Sequence, residues 1–390
     1  MANLKVALHR IIKKLYINLY KVLFRQFYRV FNSLLRIDNK KFIIATYRSS
    51  ELEGNLKYIF NQIKNKQPDA KIHLVKAENR MNLRLFKEAF ILRNAKYLII
   101  DDYYLPAYLI KPNKELKVIQ LWHAAGAFKK FGWSTLGTKF GPDSEYLKLV
   151  PIHSNYTNVY VSSGKVVEYY AEAFNMSKKK VFPLGIPRVD LFNNKDERIL
   201  AESRIYGSYP KLSGKSIVKI LVAPTYRADG AQGETPLDIT KVYSEVSRLI
   251  KNNVYLIFKP HPYMNKNDLN RLSICTNVII ALDYPINEWM LVSDALITDY
   301  SSSAFEYALL NRPIAHFVPD LAHYTENRGF YNEISKVSDG AILKYEKQLV
   351  RWINNRIPGE YFDTSRMVRY NFDETQNISK NIVDHFIHQQ

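Results

Sequence analysis

The sequence predicts an α/β protein of two tandem doubly wound domains behind a long basic amphipathic helix. Three observations predict it. From residue 39 onward, short β-branched and aromatic runs alternate with helix-length stretches, the pattern of parallel sheets covered by helices. The alternation is interrupted over 191–215 by a polar stretch with Pro, Gly, Asn and Lys and no strong period. The first 37 residues hold eight Lys or Arg and no Asp or Glu.

The N-terminal segment comes first. Arg10, Lys14, Lys21, Arg25, Arg29 and Arg36 are spaced 4, 7, 4, 4 and 7 apart, which puts them on one stripe of a helix. Leu8, Ile12, Leu15, Leu19, Leu23, Phe27, Val30 and Leu34 fall broadly opposite. Lysines or arginines interrupt the segment too often for a membrane span, and it lacks the uninterrupted apolar core of a signal peptide. An acid-free basic stripe beside an aromatic-rich apolar face reads as a helix lying on an anionic membrane. Lys14, Lys21, Arg25 and Arg29 are its expected membrane contacts. The expected location is the cytoplasmic face of the cell membrane, as a peripheral protein. Residues 1–38 are taken as this helix.

The first α/β series, residues 39–190, contains "KFIIAT" (41–46), "KIHLVK" (71–76), "KYLIID" (96–101), "KVIQLWH" (117–123), "NVYVSS" (158–163) and "KVFPLG" (180–185). Helical stretches are expected near 50–65, 82–95 and after Lys165. Residues 191–215 are expected to link the domains. The second series, 216–390, contains "IVKILVAPT" (217–225), "VYLIFKPH" (254–261), "NVIIA" (277–281), "ALITDYS" (295–301) and "PIAHFV" (313–318). Two helices, near 344–356 and 373–389, are expected to close this domain. Tandem doubly wound, Rossmann-like domains imply a ligand cleft at the carboxyl ends of their strands.

Composition narrows the partner. A net charge of +19 implies a polyanion: nucleic acid, anionic lipid or a phosphorylated substrate. One cysteine, Cys275, permits neither an intrachain disulfide nor a cysteine metal cluster, which fits a reducing compartment.

Four polar clusters fall at predicted strand ends: His123 after "VIQLW"; Thr225, Tyr226 and Arg227 after "ILVAP"; Lys259 and His261 in "LIFKPHP"; and Asp299, Ser301 and Ser302 in "DALITDYSSS". Their chemistry converges on phosphate. Ser301 and Ser302 open a helix, where N–H groups and the dipole favour an anion. Glu306, on that helix, is counted with the donor-binding set. Arg227 and Lys259 are suited to neutralising a diphosphate, and His261, between two prolines, to donating to one of its oxygens. His123, from the other domain, is the expected general base, since imidazole takes a proton near neutral pH. Lys129 and Lys130 are placed on the acceptor side, steering an anion. No metal-binding cluster and no DxD of the metal-dependent sugar-transferase kind stands out, so no metal or other cofactor is expected; cationic side chains and helix dipoles would take a metal's place.

The ordered set "QLWHAAGAFKKFG", "VAPTYR", "FKPHP", "SDALITDYSSSAFEYALLNRPI" and "YTENRGF" resembles the CDP-glycerol glycerophosphotransferase family, enzymes of teichoic acid synthesis in Gram-positive bacteria. The resemblance covers about residues 40–385. It implies a glycosyltransferase-B-like fold, a CDP-alcohol donor, and attack of an acceptor hydroxyl on the donor's distal phosphorus with loss of CMP. It implies that His123 and His261 are the two essential histidines. It places Asp299, Ser301 and Ser302 in the Asp-Tyr-Ser-Ser signature, Arg328 in the Arg-Gly near the end, and Arg227 at a basic position after Pro-Thr. Many members read Trp-His-Gly-Thr-Pro where this chain reads Trp122-His123-Ala124-Ala125-Gly126. The departure falls on the acceptor side.

A basic helix in front of a short chain resembles the primase type. The expected reaction is therefore transfer of glycerol phosphate from CDP-glycerol to an undecaprenyl-diphosphate-linked disaccharide. Alternatives are a glycerol or ribitol phosphate polymerase of the same family, or a nucleotide-sugar glycosyltransferase on the same fold. The partners are then a CDP-alcohol, a lipid-linked acceptor and an anionic membrane surface, with no nucleic acid. A purely binding, non-catalytic protein would need the surface charge but not motifs gathered at strand ends.

Overall fold

The structure is a computed structural model that describes residues 2–47, 51–138, 141–225, 237–261, 264 and 266–389. It contains two six-stranded sheets, parallel throughout. The first holds β1 (Asp38–Thr46), β2 (Lys71–Lys76), β3 (Ala95–Ile100), β4 (Lys117–Gln120), β5 (Asn158–Tyr160) and β6 (Val181–Phe182), in the order β2-β1-β3-β4-β5-β6. The second holds β7 (Val218–Ala223), β8 (Val254–Phe258), β9 (Val278–Ile280), β10 (Ala295–Thr298), β11 (Ile314–Phe317) and β12 (Ala341–Leu343), in the order β12-β11-β10-β7-β8-β9.

Central strands such as β7 and β10 are buried at every residue. A parallel strand covered on both faces has no solvent side, which is why these stretches read as nearly continuous apolar runs, broken only by Lys219 and Thr298. In each sheet the chain winds outward in one direction and then in the other. The reversals fall between β1 and β3 and between β7 and β10. Neighbouring crossovers diverge at such points and leave a crevice at the strands' carboxyl ends.

Three elements differ from the sequence-based expectation. First, 191–215 is not irregular. It carries a helix at Lys195–Ser208, capped by Asn194, whose side chain accepts from the Glu197 N–H. Only Ala201 and Ile205 of this helix are buried, so the apolar period is too weak to see in sequence. Its polar face is spent on contacts: Glu197 accepts from Tyr58, and Arg204 pairs with Glu288.

Second, the C-terminal helix Ile378–His388 does not close the second domain. It returns to the first. Asp190 accepts from the N–H groups of Ile378 and Ser379, Lys117 donates to the Phe386 carbonyl, and Lys66 pairs with Asp384.

Third, the N-terminal helix Ala2–Ser33 has three faces, not two. Ile17, Tyr20, Phe24 and Tyr28 are buried against the body. Phe86, on the helix Leu85–Leu92, receives Tyr20, Phe24 and Phe27 edge-on. Lys21 and Arg25 turn toward the body and donate to the carbonyls of Leu149 and Leu109, each at 2.7 Å. They serve docking, contrary to their expected role as membrane contacts. Lys14 and Arg29 remain exposed. So do Leu8, Ile12, Leu15, Leu19, Leu23 and Val30, at 53–64%. Among the described residues no helix is long and apolar enough to cross a membrane.

Candidate functional site

The two switch points open into one cleft of about 1240 Å³ between the domains. His123, Lys129, Lys130, Lys259, His261, Ser301, Ser302, Glu306 and Arg328 all line it. Arg227 lies outside the described residues.

The His123 loop is built from the end of β4. Trp122 turns the chain with a left-handed backbone, φ +53°. That conformation costs an L residue on the order of 1–2 kcal/mol and needs surrounding support. The support is polar and buried: Trp122 N–H donates to Gln120 at 2.8 Å, and Asn55 donates to the Trp122 carbonyl at 2.6 Å. The Trp122 and His123 rings stack at 4.1 Å. Gly126 closes the loop at φ +63°; a Cβ there would lie 2.6 Å from the Phe305 ring and 2.7 Å from Asn371. The second domain thus sits on this loop, and a glycine is required where it touches.

His123 Nδ1 lies 3.1 Å from the Asp101 carbonyl and 3.6 Å from the Asp102 carboxylate. A carbonyl only accepts, so Nδ1 carries the proton and Nε2 is the basic nitrogen. The main-chain carbonyl of Asp101, after β3 at the first switch point, therefore orients the imidazole, with the Asp102 carboxylate close by. The signal available in sequence was this pair at a strand end.

His153 was missed. It is 2% exposed, and its Nε2 has no hydrogen-bond partner. Burial first, and the neighbouring His123 second, push its pKa down to about 3. It lines a side cavity of about 210 Å³ that opens beside the cleft and shares Tyr103, Lys130, Phe131 and Arg328 with it. A cross-domain strap builds this corner: Lys129 bridges to Phe330, Lys130 N–H donates to the Gly329 carbonyl at 3.2 Å, and Phe128 stacks on Phe330 at 4.8 Å. Arg328, expected on the donor side, therefore lines the same corner as Lys130, which is expected on the acceptor side.

On the second domain two expectations change. Asp299 is 2% exposed and is not among the cleft-lining residues. Its carboxylate accepts from Thr225 and from the Tyr300 N–H, so it shapes the strand ends beneath the cleft. Glu306 reaches the cleft wall, but its carboxylate is held by Arg188 and by Asn287 Nδ2. A carboxylate so bound is a structural anchor and a poor donor ligand, since it repels phosphate.

Lys259 donates two of its N–H groups to the Asp283 and Tyr284 carbonyls, and burial lowers its pKa. Ser301 Oγ accepts from the Ser303 N–H and hydroxyl. The helix it precedes is short, Ser303–Tyr307. Ser302 lines the cleft without capping that helix. Among the described residues no group of three His, Cys, Asp or Glu side chains is arranged to hold a metal ion.

Comparison with known proteins agrees with this architecture. The teichoic acid ribitol-phosphate primase of Bacillus spizizenii is 37% identical over 90% of this chain and 90% of its own length. The teichoic acid poly(ribitol-phosphate) polymerase of the same organism is 33% identical over 94% of this chain but 59% of its own. The glycerol-phosphate primase of Bacillus subtilis is 24% identical over 81% of this chain. A solved structure of the wall teichoic acid polymerase TagF shares the fold, with a TM-score of 0.74 at 19% identity over 97% of both chains. The family model described as CDP-glycerol:poly(glycerophosphate) glycerophosphotransferase matches residues 26–384. The chain belongs to that family, that of the teichoic acid primases and polymerases.

Proposed function

We propose that this chain is a primase-type phosphotransferase that moves an alditol phosphate from a CDP-alditol to a lipid-linked acceptor. The observation that carries the reading is the imidazole of His123, held at the cleft edge with Nδ1 on the Asp101 carbonyl and its basic nitrogen opposite. An acceptor hydroxyl loses its proton to Nε2 as its oxygen attacks the donor's distal phosphorus. The bond from that phosphorus to the bridging oxygen breaks, and CMP leaves with the bridging oxygen. Lys259, His261 and Ser302 line the donor side and meet the diphosphate charge, in a role a metal often fills.

Ribitol is the alditol favoured, because identity to the ribitol-phosphate primase, 37%, exceeds that to the glycerol-phosphate primase, 24%. Peripheral attachment to an anionic bilayer fits the outward apolar face of the first helix, flanked by exposed Arg10, Lys14 and Arg29.

The test is mass spectrometry of products from a synthetic lipid-linked acceptor with CDP-ribitol and CDP-glycerol side by side. One ribitol phosphate added per acceptor, with release of CMP, is expected. Release of a nucleoside diphosphate would make the protein a sugar transferase. Preference for CDP-glycerol would return the donor to glycerol, and long products would make it a polymerase. His123→Ala should lower turnover about 10²–10⁴-fold; undiminished turnover in that variant removes His123 from the chemistry.

A further inference from the structure

Beneath His123 lies an ion pair that the reaction scheme does not use. Arg188 sits on the turn Pro187–Val189 that follows β6 of the first domain, and Glu306 on the helix Ser303–Tyr307 of the second. The Arg188 side chain is 16% exposed and that of Glu306 is 1% exposed. Arg188 Nε donates to Glu306 at 2.9 Å, and Nη2 completes a two-pronged pair. Asn287 Nδ2 adds a third donor to the same carboxylate, at 2.6 Å.

The same Nη2 also donates to the main-chain carbonyl of His123, at 3.1 Å. The Arg188 backbone N–H, in turn, donates to Asn55 Oδ1 at 3.1 Å, and Asn55 holds the Trp122 carbonyl. Both carbonyls of the strained Trp122–His123 turn are therefore tied to Arg188, one directly and one through Asn55.

We infer that Arg188 is a positioning residue for the base, and that through Glu306 it aligns His123 only when the two domains are engaged. The inference rests on the reading of His123 as general base. The physical argument is one of geometry. A left-handed residue next to a catalytic group holds its conformation only if its neighbours over-determine it. Here one of those neighbours is anchored on the opposite domain. A guanidinium suits the task, since its planar fork serves a carboxylate and a carbonyl together; a lysine's point charge cannot reproduce that fork. An ion pair kept only for stability would need no bond to the loop that carries the base.

The test uses the full chain and measures kcat, KM for the donor, CMP affinity by calorimetry and thermal stability. Arg188→Lys keeps the buried charge paired. It should fold, bind CMP within about threefold of the parent and lose kcat about 10–100-fold, the penalty expected of a misaimed catalytic group. Removing one charge alone would leave the other buried and unpaired, so the second variant is the double Arg188→Met with Glu306→Gln, which should show the same split. The third is the exchange Arg188→Glu with Glu306→Arg. It restores an ion pair but leaves the His123 carbonyl without its donor, so stability should recover while kcat does not.

Arg188→Lys with kcat within twofold of the parent overturns the inference. So does an exchange variant that recovers kcat along with stability. His123→Ala run in parallel separates the two failures. If His123→Ala turns over as fast as the parent, the base assignment falls. If it is crippled while Arg188→Lys is fully active, only the positioning role falls.

Discussion

The Asp299 carboxylate accepts from both the backbone N–H and the hydroxyl of Thr225, at 3.0 Å in each case. Thr225 follows β7 and Asp299 follows β10, the two strands at which the second sheet reverses direction. One carboxylate thus pins the two strand ends that frame the second domain's side of the cleft. Asp299→Asn keeps the shape but exchanges an acceptor oxygen for an NH₂ facing donors. Hydrogen bonds to a buried charged group are worth about 1.5–3 kcal/mol each. The variant should lose about that much stability and bind CMP at least tenfold more weakly. Unchanged denaturation midpoint and CMP affinity would refute the pinning role.

On the reading proposed above, the corner shared by Lys130 and Arg328 would meet the acceptor rather than the donor. Both side chains line the side cavity as well as the cleft. Lys130→Gln and Arg328→Gln should each raise KM for the acceptor about tenfold, the loss of one charge-assisted contact of about 1.4 kcal/mol. CMP affinity should stay within twofold. A rise in donor KM with acceptor KM unchanged would return both residues to the donor side.

Acid should weaken the protein through its buried histidines. His153 has its pKa lowered from 6.5 to about 3, by burial first and then by His123. His316 is also depressed by burial; its Nδ1 faces the Asp299 carbonyl and its Nε2 the Ser338 hydroxyl. A histidine with a lowered folded-state pKa binds its proton more readily when unfolded. Its contribution is therefore complete above about pH 6.5 and is lost as pH falls toward 3. Urea unfolding between pH 7 and 4 should show stability dropping by a few kcal/mol. His153→Asn tolerates the local backbone, φ +68°, and should reduce the slope by about one proton. A slope identical to the parent's would contradict this.

For the N-terminal helix the structure sharpens the membrane experiment. Lys21 and Arg25 hold body carbonyls, so reversing their charge would undock the helix and confuse the result. Arg10, Lys14 and Arg29 are exposed. Reversing these three to Glu should abolish co-sedimentation with anionic vesicles, since each basic residue at such a surface contributes about 1 kcal/mol. Leu15→Glu with Leu19→Glu should weaken binding even at low salt, because those leucines face outward. Equal sedimentation by parent and both variants would mean that another surface, or none, meets the bilayer.

Local pattern alone determined much of this protein. The mostly apolar runs of β7, β10 and the second half of β1 announce themselves because a doubly covered parallel strand has no solvent side. His123, Lys259 and His261 are readable as cleft-lining residues because they follow such runs, where α/β proteins bind ligands. The family could be named from the order of five motifs.

What the sequence could not show is where partners from distant segments arrive. The helix at 195–208 buries two residues, so it has almost no apolar period to detect. The final helix belongs to the first domain because Asp190 caps it from 188 positions away. Asp299 and Glu306 looked like ligand groups, yet the nearby donors of Thr225, Tyr300, Arg188 and Asn287 claim their oxygens. Lys21 and Arg25 share a stripe with Lys14 and Arg29, but the body covers only part of that stripe. Charge and spacing are local properties; which charges are already satisfied depends on contacts made only when the chain packs.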